Sequence, residues 1–125
     1  MNAIYIPESH LRLVENADGA ITISLSKYIT PRIGKAEFAE CQTKPGDELS
    51  PGVPFVTIET NKSVYEVALP FQATLAEFNP LVREDASLIC SQPEGDGWIC
   101  RVRPTKDTWR EGTLDETAYA AYIAP

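Results

Sequence analysis

Phe55-Val56-Thr57-Ile58-Glu59-Thr60-Asn61-Lys62-Ser63-Val64-Tyr65-Glu66-Val67-Ala68-Leu69 reads as two strands joined by a turn. Residues 55–59 and 64–69 are rich in β-branched and aromatic side chains, which suit a pleated, half-buried surface. Thr60-Asn61-Lys62-Ser63 between them is polar throughout. The stretch therefore predicts a β-hairpin with Lys62 at or beside its tip.

Outward from that hairpin, turn chemistry recurs at short intervals. Lys44-Pro45-Gly46-Asp47 and Ser50-Pro51-Gly52-Val53-Pro54 are turns so close together that only a short strand fits between them. Asn16-Ala17-Asp18-Gly19 is a further turn, and Ala20-Ile21-Thr22-Ile23-Ser24-Leu25 after it alternates apolar and polar, the period of a half-buried strand. A partner strand over residues 11–14 completes that hairpin. Ala73-Thr74-Leu75-Ala76-Glu77-Phe78 and Trp98-Ile99-Cys100-Arg101-Val102-Arg103 alternate in the same way. Two helices are expected: a short one over residues 26–33, interrupted by Pro31, and a terminal one over residues 115–123. The latter has Thr113 or Asp115 as N-cap and Ala118, Tyr119, Tyr122 and Ile123 on one stripe. The expected fold is mainly β with a helical tail, in one domain over residues 1–125.

Composition bounds the function. A chain of 125 residues with 43% hydrophobic and 23% charged content is that of a globular domain able to bury one core. No apolar run approaches the roughly 18 residues that span a bilayer, and the first residues lack the basic start and apolar stretch of a secretory signal. The expectation is a cytoplasmic protein without a membrane partner. The net charge of −7 repels phosphate backbones, which argues against nucleic acid.

Metal and nucleophile chemistry find little support. Cys41, Cys90 and Cys100 form an odd set without C-x-x-C spacing, and His10 is the single histidine, so no zinc-site pattern and no metal is expected. Cys90 and Cys100 fall on neighbouring predicted strands and read as small buried hydrophobes in a reduced state. Trp98, at a strand start after Gly95-Asp96-Gly97, reads as a core-filling ring. His10 without a companion reads as a satisfied or exposed imidazole. No catalytic residue is assigned.

Thr57-Ile58-Glu59-Thr60-Asn61-Lys62-Ser63-Val64 resembles the attachment segment of lipoyl domains, in which an acidic residue stands three before the modified lysine and a small residue follows it. Over nearly its full length the chain is similar to the glycine cleavage system H protein family. The matching pieces follow the family's order: residues 5–10 near the start, Asp18-Gly19, Tyr28, Pro45-Gly46-Asp47-Glu48, Gly95-Asp96-Gly97-Trp98, and Leu114-Asp115-Glu116-Thr117-Ala118-Tyr119. A lone E-x-x-K is common by chance, whereas this ordered set is specific.

The resemblance implies a barrel-sandwich hybrid of two small antiparallel sheets, with the modified lysine exposed on a hairpin turn. It implies a carrier and not an enzyme: lipoic acid joined as an amide to Lys62 forms a swinging arm, attached by a lipoate ligase or lipoyl transferase, with Glu59 as a recognition element for that enzyme. Amidation removes the lysine charge and so eases entry of the arm into a low-dielectric site. Tethering keeps a bound intermediate at high effective concentration between successive active sites. Biotin carriers of the same fold set the lysine between methionines, whereas here the neighbours are Asn61 and Ser63.

The chain also departs from the family's pattern. Leu11-Arg12 stands where Glu-Trp usually follows the histidine, Glu59-Thr60-Asn61-Lys62-Ser63 stands for Glu-Ser-Val-Lys-Ala, Ala73 replaces a turn glycine, and Glu94-Gly95 replaces an aromatic-glycine pair. Three functions therefore remain open. The first is an aminomethyl carrier among the enzymes of glycine cleavage: a pyridoxal-phosphate decarboxylase, a folate-dependent transferase and a flavin dehydrogenase. The second is an H-like lipoate-binding protein carrying sulfur for a heterodisulfide-reductase-like sulfur-oxidising complex. The third is an unmodified interaction protein on the same fold. A monomer is expected in each case.

Overall fold

The alternation at residues 11–25 forms the middle of the larger of two antiparallel sheets. The computed structural model describes residues 2–125. In chain order the strands are β1 (Ala3–Ile6), β2 (Leu11–Glu15), β3 (Ile21–Leu25), β4 (Ala36–Cys41), β5 (Glu48–Leu49), β6 (Val56–Thr60), β7 (Val64–Val67), β8 (Ala73–Phe78), β9 (Cys100–Pro104) and β10 (Leu114–Asp115). The larger sheet has the order β10-β1-β2-β3-β9-β8-β5, and the smaller one β4-β6-β7. Short helices α1 (Thr30–Ile33), α2 (Pro80–Glu84) and α3 (Leu88–Ser91) cover the junctions, and α4 (Glu116–Ile123) ends the chain. This is the mainly β, barrel-sandwich architecture with a terminal helix.

Register turns sequence alternation into a core. Leu11 faces Leu25 and Leu13 faces Ile23; the latter row continues across the sheet through Cys100 to Phe78. Ile21, Val102 and Leu75 make a parallel row. A bulge between Leu75 and Glu77 holds both Leu75 and Phe78 on the inner face while Glu77 turns outward to Arg101, 3.2 Å away. These side chains meet Val56, Ile58 and Val67 of the smaller sheet in one buried cluster. Each Leu or Ile removed from water there contributes about 1.5–3 kcal/mol.

Several expectations are corrected. Trp98 precedes β9 and lies half-buried under the Arg101 guanidinium, 4.2 Å from its ring. The buried tryptophan is Trp109, carried by a 3-10 turn over Asp107–Arg110. Cys90 lies in α3, not on a strand, because Asp85 Oδ1 accepts from both the N–H and the hydroxyl of Ser87 and so starts a helical turn. Pro31 opens α1 instead of interrupting it, at a position where a missing N–H leaves no helical bond unmade.

The terminal helix is capped as expected, with Asp115 accepting from the Ala118 N–H at 2.8 Å. Its expected stripe is not buried. Tyr119 alone is, while Ala118 and Tyr122 are exposed, because the helix docks through one ring: Tyr119 stacks on Tyr5 with centroids 4.2 Å apart. No helix among the described residues is long and apolar enough to cross a membrane.

Candidate functional site

Lys62 stands in the turn between β6 and β7 with its side chain exposed. The turn itself is held firmly. Thr60 N–H donates to the Ser63 carbonyl at 2.8 Å, and Thr60 Oγ1 accepts from the backbone N–H groups of Lys62, at 3.1 Å, and Ser63, at 2.9 Å. The same hydroxyl donates to the Ile33 carbonyl at 2.6 Å, tying the turn to the end of α1. Asn61 and Lys35 exchange a reciprocal pair: Asn61 N–H to the Lys35 carbonyl at 3.1 Å, and Lys35 N–H to Asn61 Oδ1 at 2.8 Å.

Gly34 makes this clamp sterically feasible. It adopts φ 95°, ψ −176°, a backbone region open essentially to glycine alone. A Cβ there would lie 2.5 Å from Asn61 Oδ1 and 3.2 Å from both Thr60 Oγ1 and Lys62 Cγ. The strand–turn–strand pattern of the sequence places Lys62 in a turn, as observed, but does not reveal how that turn is fastened. The available signal was a pair of short polar side chains, Thr60 and Asn61, opposite a glycine just before a strand, a pairing that only the fold reveals.

Beside the turn an open groove of about 560 Å³ runs between α1 and α3, lined by Pro31, Gly34, Lys62, Ser87 and Cys90 among others. Burial pushes the Cys90 thiol above its usual range, so at neutral pH it is protonated and a poor nucleophile. Cys100 is fully buried and Cys41 half-buried; the three cysteines are free. No group of His, Cys, Asp and Glu among the described residues could hold a metal ion.

Glu59 points to solvent from β6. His10 belongs to another cluster: Tyr119 Oη lies 2.8 Å from His10 Nδ1 and 2.8 Å from Ser26 Oγ, and the Tyr28 and Tyr122 rings pack beside the imidazole. Burial, with Arg32 nearby, holds His10 below its usual pKa. Tyr65, whose hydroxyl donates to the Ser9 carbonyl, is pushed up to about 12 chiefly by burial. These groups fasten strands and helix together. An exposed primary amine on a fastened turn can do one thing chemically that they cannot, which is to accept an acyl group without disturbing the core.

The geometry has close relatives. The family model described as "Glycine cleavage H-protein" matches residues 4–125. A glycine cleavage system H protein of Prochlorococcus marinus is 30% identical over 118 residues, covering 94% of this chain and 90% of its own. That of Chromohalobacter salexigens is 28% identical over 117 residues, covering 94% and 88%. The crystal structure of a glycine cleavage system H protein from Mycobacterium marinum superposes with a TM-score of 0.79 at 21% identity, covering 96% of this chain and 94% of that one, a likeness of fold.

Proposed function

The chain belongs to the glycine cleavage H-protein family, whose members are carriers and not catalysts, and from that premise we propose that it carries lipoate as an amide on Lys62. The observation that supports this reading is the exposed amine at the tip of a turn clamped to the end of α1 through Thr60 and to Lys35 through Asn61. The residues suit the group. An unbranched stem projects from a rigid base, and Gly34 leaves room beside Lys62 Cγ for that stem to leave the surface.

In attachment, Lys62 Nζ, once deprotonated, attacks the carbonyl carbon of an activated lipoyl donor. The C–N bond forms, the activating group departs, and the lysine loses its positive charge. Once bound, the group would supply disulfide–dithiol chemistry and a sulfur on which the cargo is carried. The chain holds the anchor still: the Thr60 hydroxyl fixes the two N–H groups of the turn, and Asn61 fixes its distance from Lys35. Two departures from the usual attachment segment, Thr60 and Asn61, are thereby accounted for as parts of the clamp. A third, Leu11, is wholly buried in the core.

The role that follows is delivery of a one-carbon cargo among the enzymes of glycine cleavage. The test is intact mass and peptide mapping after co-expression with a lipoate ligase. Wild type should gain a lipoyl mass on the peptide holding Lys62, and Lys62→Arg should gain none; an unmodified wild type, or a modified Lys62→Arg, overturns the assignment. Offered to a glycine decarboxylase, the lipoylated protein should support carboxyl exchange. Failure there with a correctly loaded arm would move the cargo to sulfur.

A further inference from the structure

The smaller sheet has an outer face that the core does not use. On β4 the register slips between Ala36 and Phe38, so Ala36 pairs with Thr60 and Phe38 with Glu59. In an unbroken strand Phe38 would point inward with Ala36, two residues before it. The bulge inserts Glu37 and turns the aromatic ring out to solvent, where it is 50% exposed. Glu59 pairs in turn with Val64 on β7, itself 62% exposed.

Phe38, Glu59 and Val64 thus form one outward row across three strands, in the register nearest the Lys62 turn. The next outward row is Glu40, Thr57 and Glu66. The face carries two of the most exposed large apolar side chains among the described residues, together with carboxylates. Glu40, Glu59 and Glu66 have no ion-pair partner among the described residues. Apolar side chains turned to water and uncompensated like charges on neighbouring strands both weaken a sheet that stands alone. Both become favourable against a protein that offers an apolar pocket edged with lysine or arginine.

We propose that this face, centred on Phe38 and Val64 and rimmed by Glu40, Glu59 and Glu66, is the docking surface for the enzyme that acylates Lys62, and that the enzyme meets it with an apolar pocket edged by basic side chains. The inference rests on Lys62 being the modified residue. Contiguity selects this occupant. An enzyme that acts on the far end of a finished arm can work at a distance from the sheet, whereas the one that builds the arm must bring Nζ itself into its active site. It therefore has to cover the strands that flank the turn. Glu59 then acts together with the apolar pair on either side of it, which gives the acidic residue three before the lysine a physical setting.

The experiment is the rate of lipoyl loading by a purified lipoate–protein ligase with lipoate and ATP, followed by intact mass. The full chain is compared with Phe38→Ser, Val64→Ser, the double variant Glu40→Lys/Glu66→Lys, and the distant control Glu111→Lys. Phe38→Ser and Val64→Ser should each lower kcat/KM for loading about tenfold, mainly through KM. The double glutamate variant should load slowly and lose the salt sensitivity of the wild type, and Glu111→Lys should load normally. Circular dichroism and the thermal midpoint check folding; if a serine variant melts early, the exposed glutamate pair decides. Wild-type kcat/KM in the folded serine variants, or in the glutamate pair, overturns the docking surface and leaves Lys62 as the site. A wild type that takes up no lipoyl mass overturns both.

Discussion

The place of Lys62 in a turn between two strands was legible from its neighbours in sequence, because two strand-forming runs and a polar turn between them are local signals. Gly34 was not, since its reason lies 26 to 28 positions downstream, in the atoms of Thr60, Asn61 and Lys62. Gly34→Ala should therefore destabilise the protein by about 1–3 kcal/mol, from a side chain forced into a glycine-only conformation and against Asn61 Oδ1. Thermal unfolding checks the stability, and hydrogen exchange at the Lys62 and Ser63 amides should rise as the clamp loosens. His10 yields a second expectation at this scale. Burial and Arg32 keep its imidazole below the usual 6.5, so between that value and the lower folded pKa the unfolded chain binds more protons than the folded one. This contribution to stability is complete above about pH 6.5 and declines as pH falls through the window. Being the single histidine, it can be removed cleanly: His10→Asn, which tolerates φ 59°, should show a flatter dependence of thermal midpoint on pH than the wild type.

Elements with strict alternation were read well from sequence, and those with short apolar runs were not. Residues 20–25 and 73–78 alternate and became β3 and β8. Residues 88–91 are too short a run for periodicity to separate helix from strand, and the deciding contact is the Asp85 side chain on Ser87. Strand β4 escaped notice because its bulge falls at its very start, between Ala36 and Phe38, whereas β8 alternates over Ala73-Thr74-Leu75 before its own bulge. The terminal helix shows the opposite error: its cap was correct, while its apolar stripe overstated its burial. A helix of this length depends on its docking contact more than on its own propensity. Tyr119→Phe removes the hydroxyl shared by His10 Nδ1 and Ser26 Oγ but keeps the stack on Tyr5, and should cost about 1–3 kcal/mol. Tyr119→Ala also loses the stack and should cost about 3–5 kcal/mol, with loss of helical signal at 222 nm marking release of α4.

The two sheets share one large buried cluster, so neither should unfold without the other. Cys100 and Trp109, both buried in that cluster, report this together. Alkylation of Cys100 should wait for global unfolding and coincide with the change in tryptophan fluorescence along a denaturant series, whereas the half-buried Cys41 and Cys90 should react earlier. Trp98, half-buried, adds a smaller fluorescence change in the same transition. Architecture at this scale followed from the ordered family resemblance, while the sharing of the core did not, because it depends on register and bulges that composition does not encode. The pairing of β1 with β10 has one more consequence. Ile4 meets Asp115 and Tyr5 meets Leu114, so β1 waits for residues 114 and 115, far downstream, before its outer edge is covered. Until then β1 offers free backbone groups to any other nascent chain. Synthesis thus passes through a stage in which the lysine hairpin is complete but the molecule remains open to self-association, and a chain ending before Leu114 should stay in that state, forming soluble oligomers that size-exclusion chromatography would resolve.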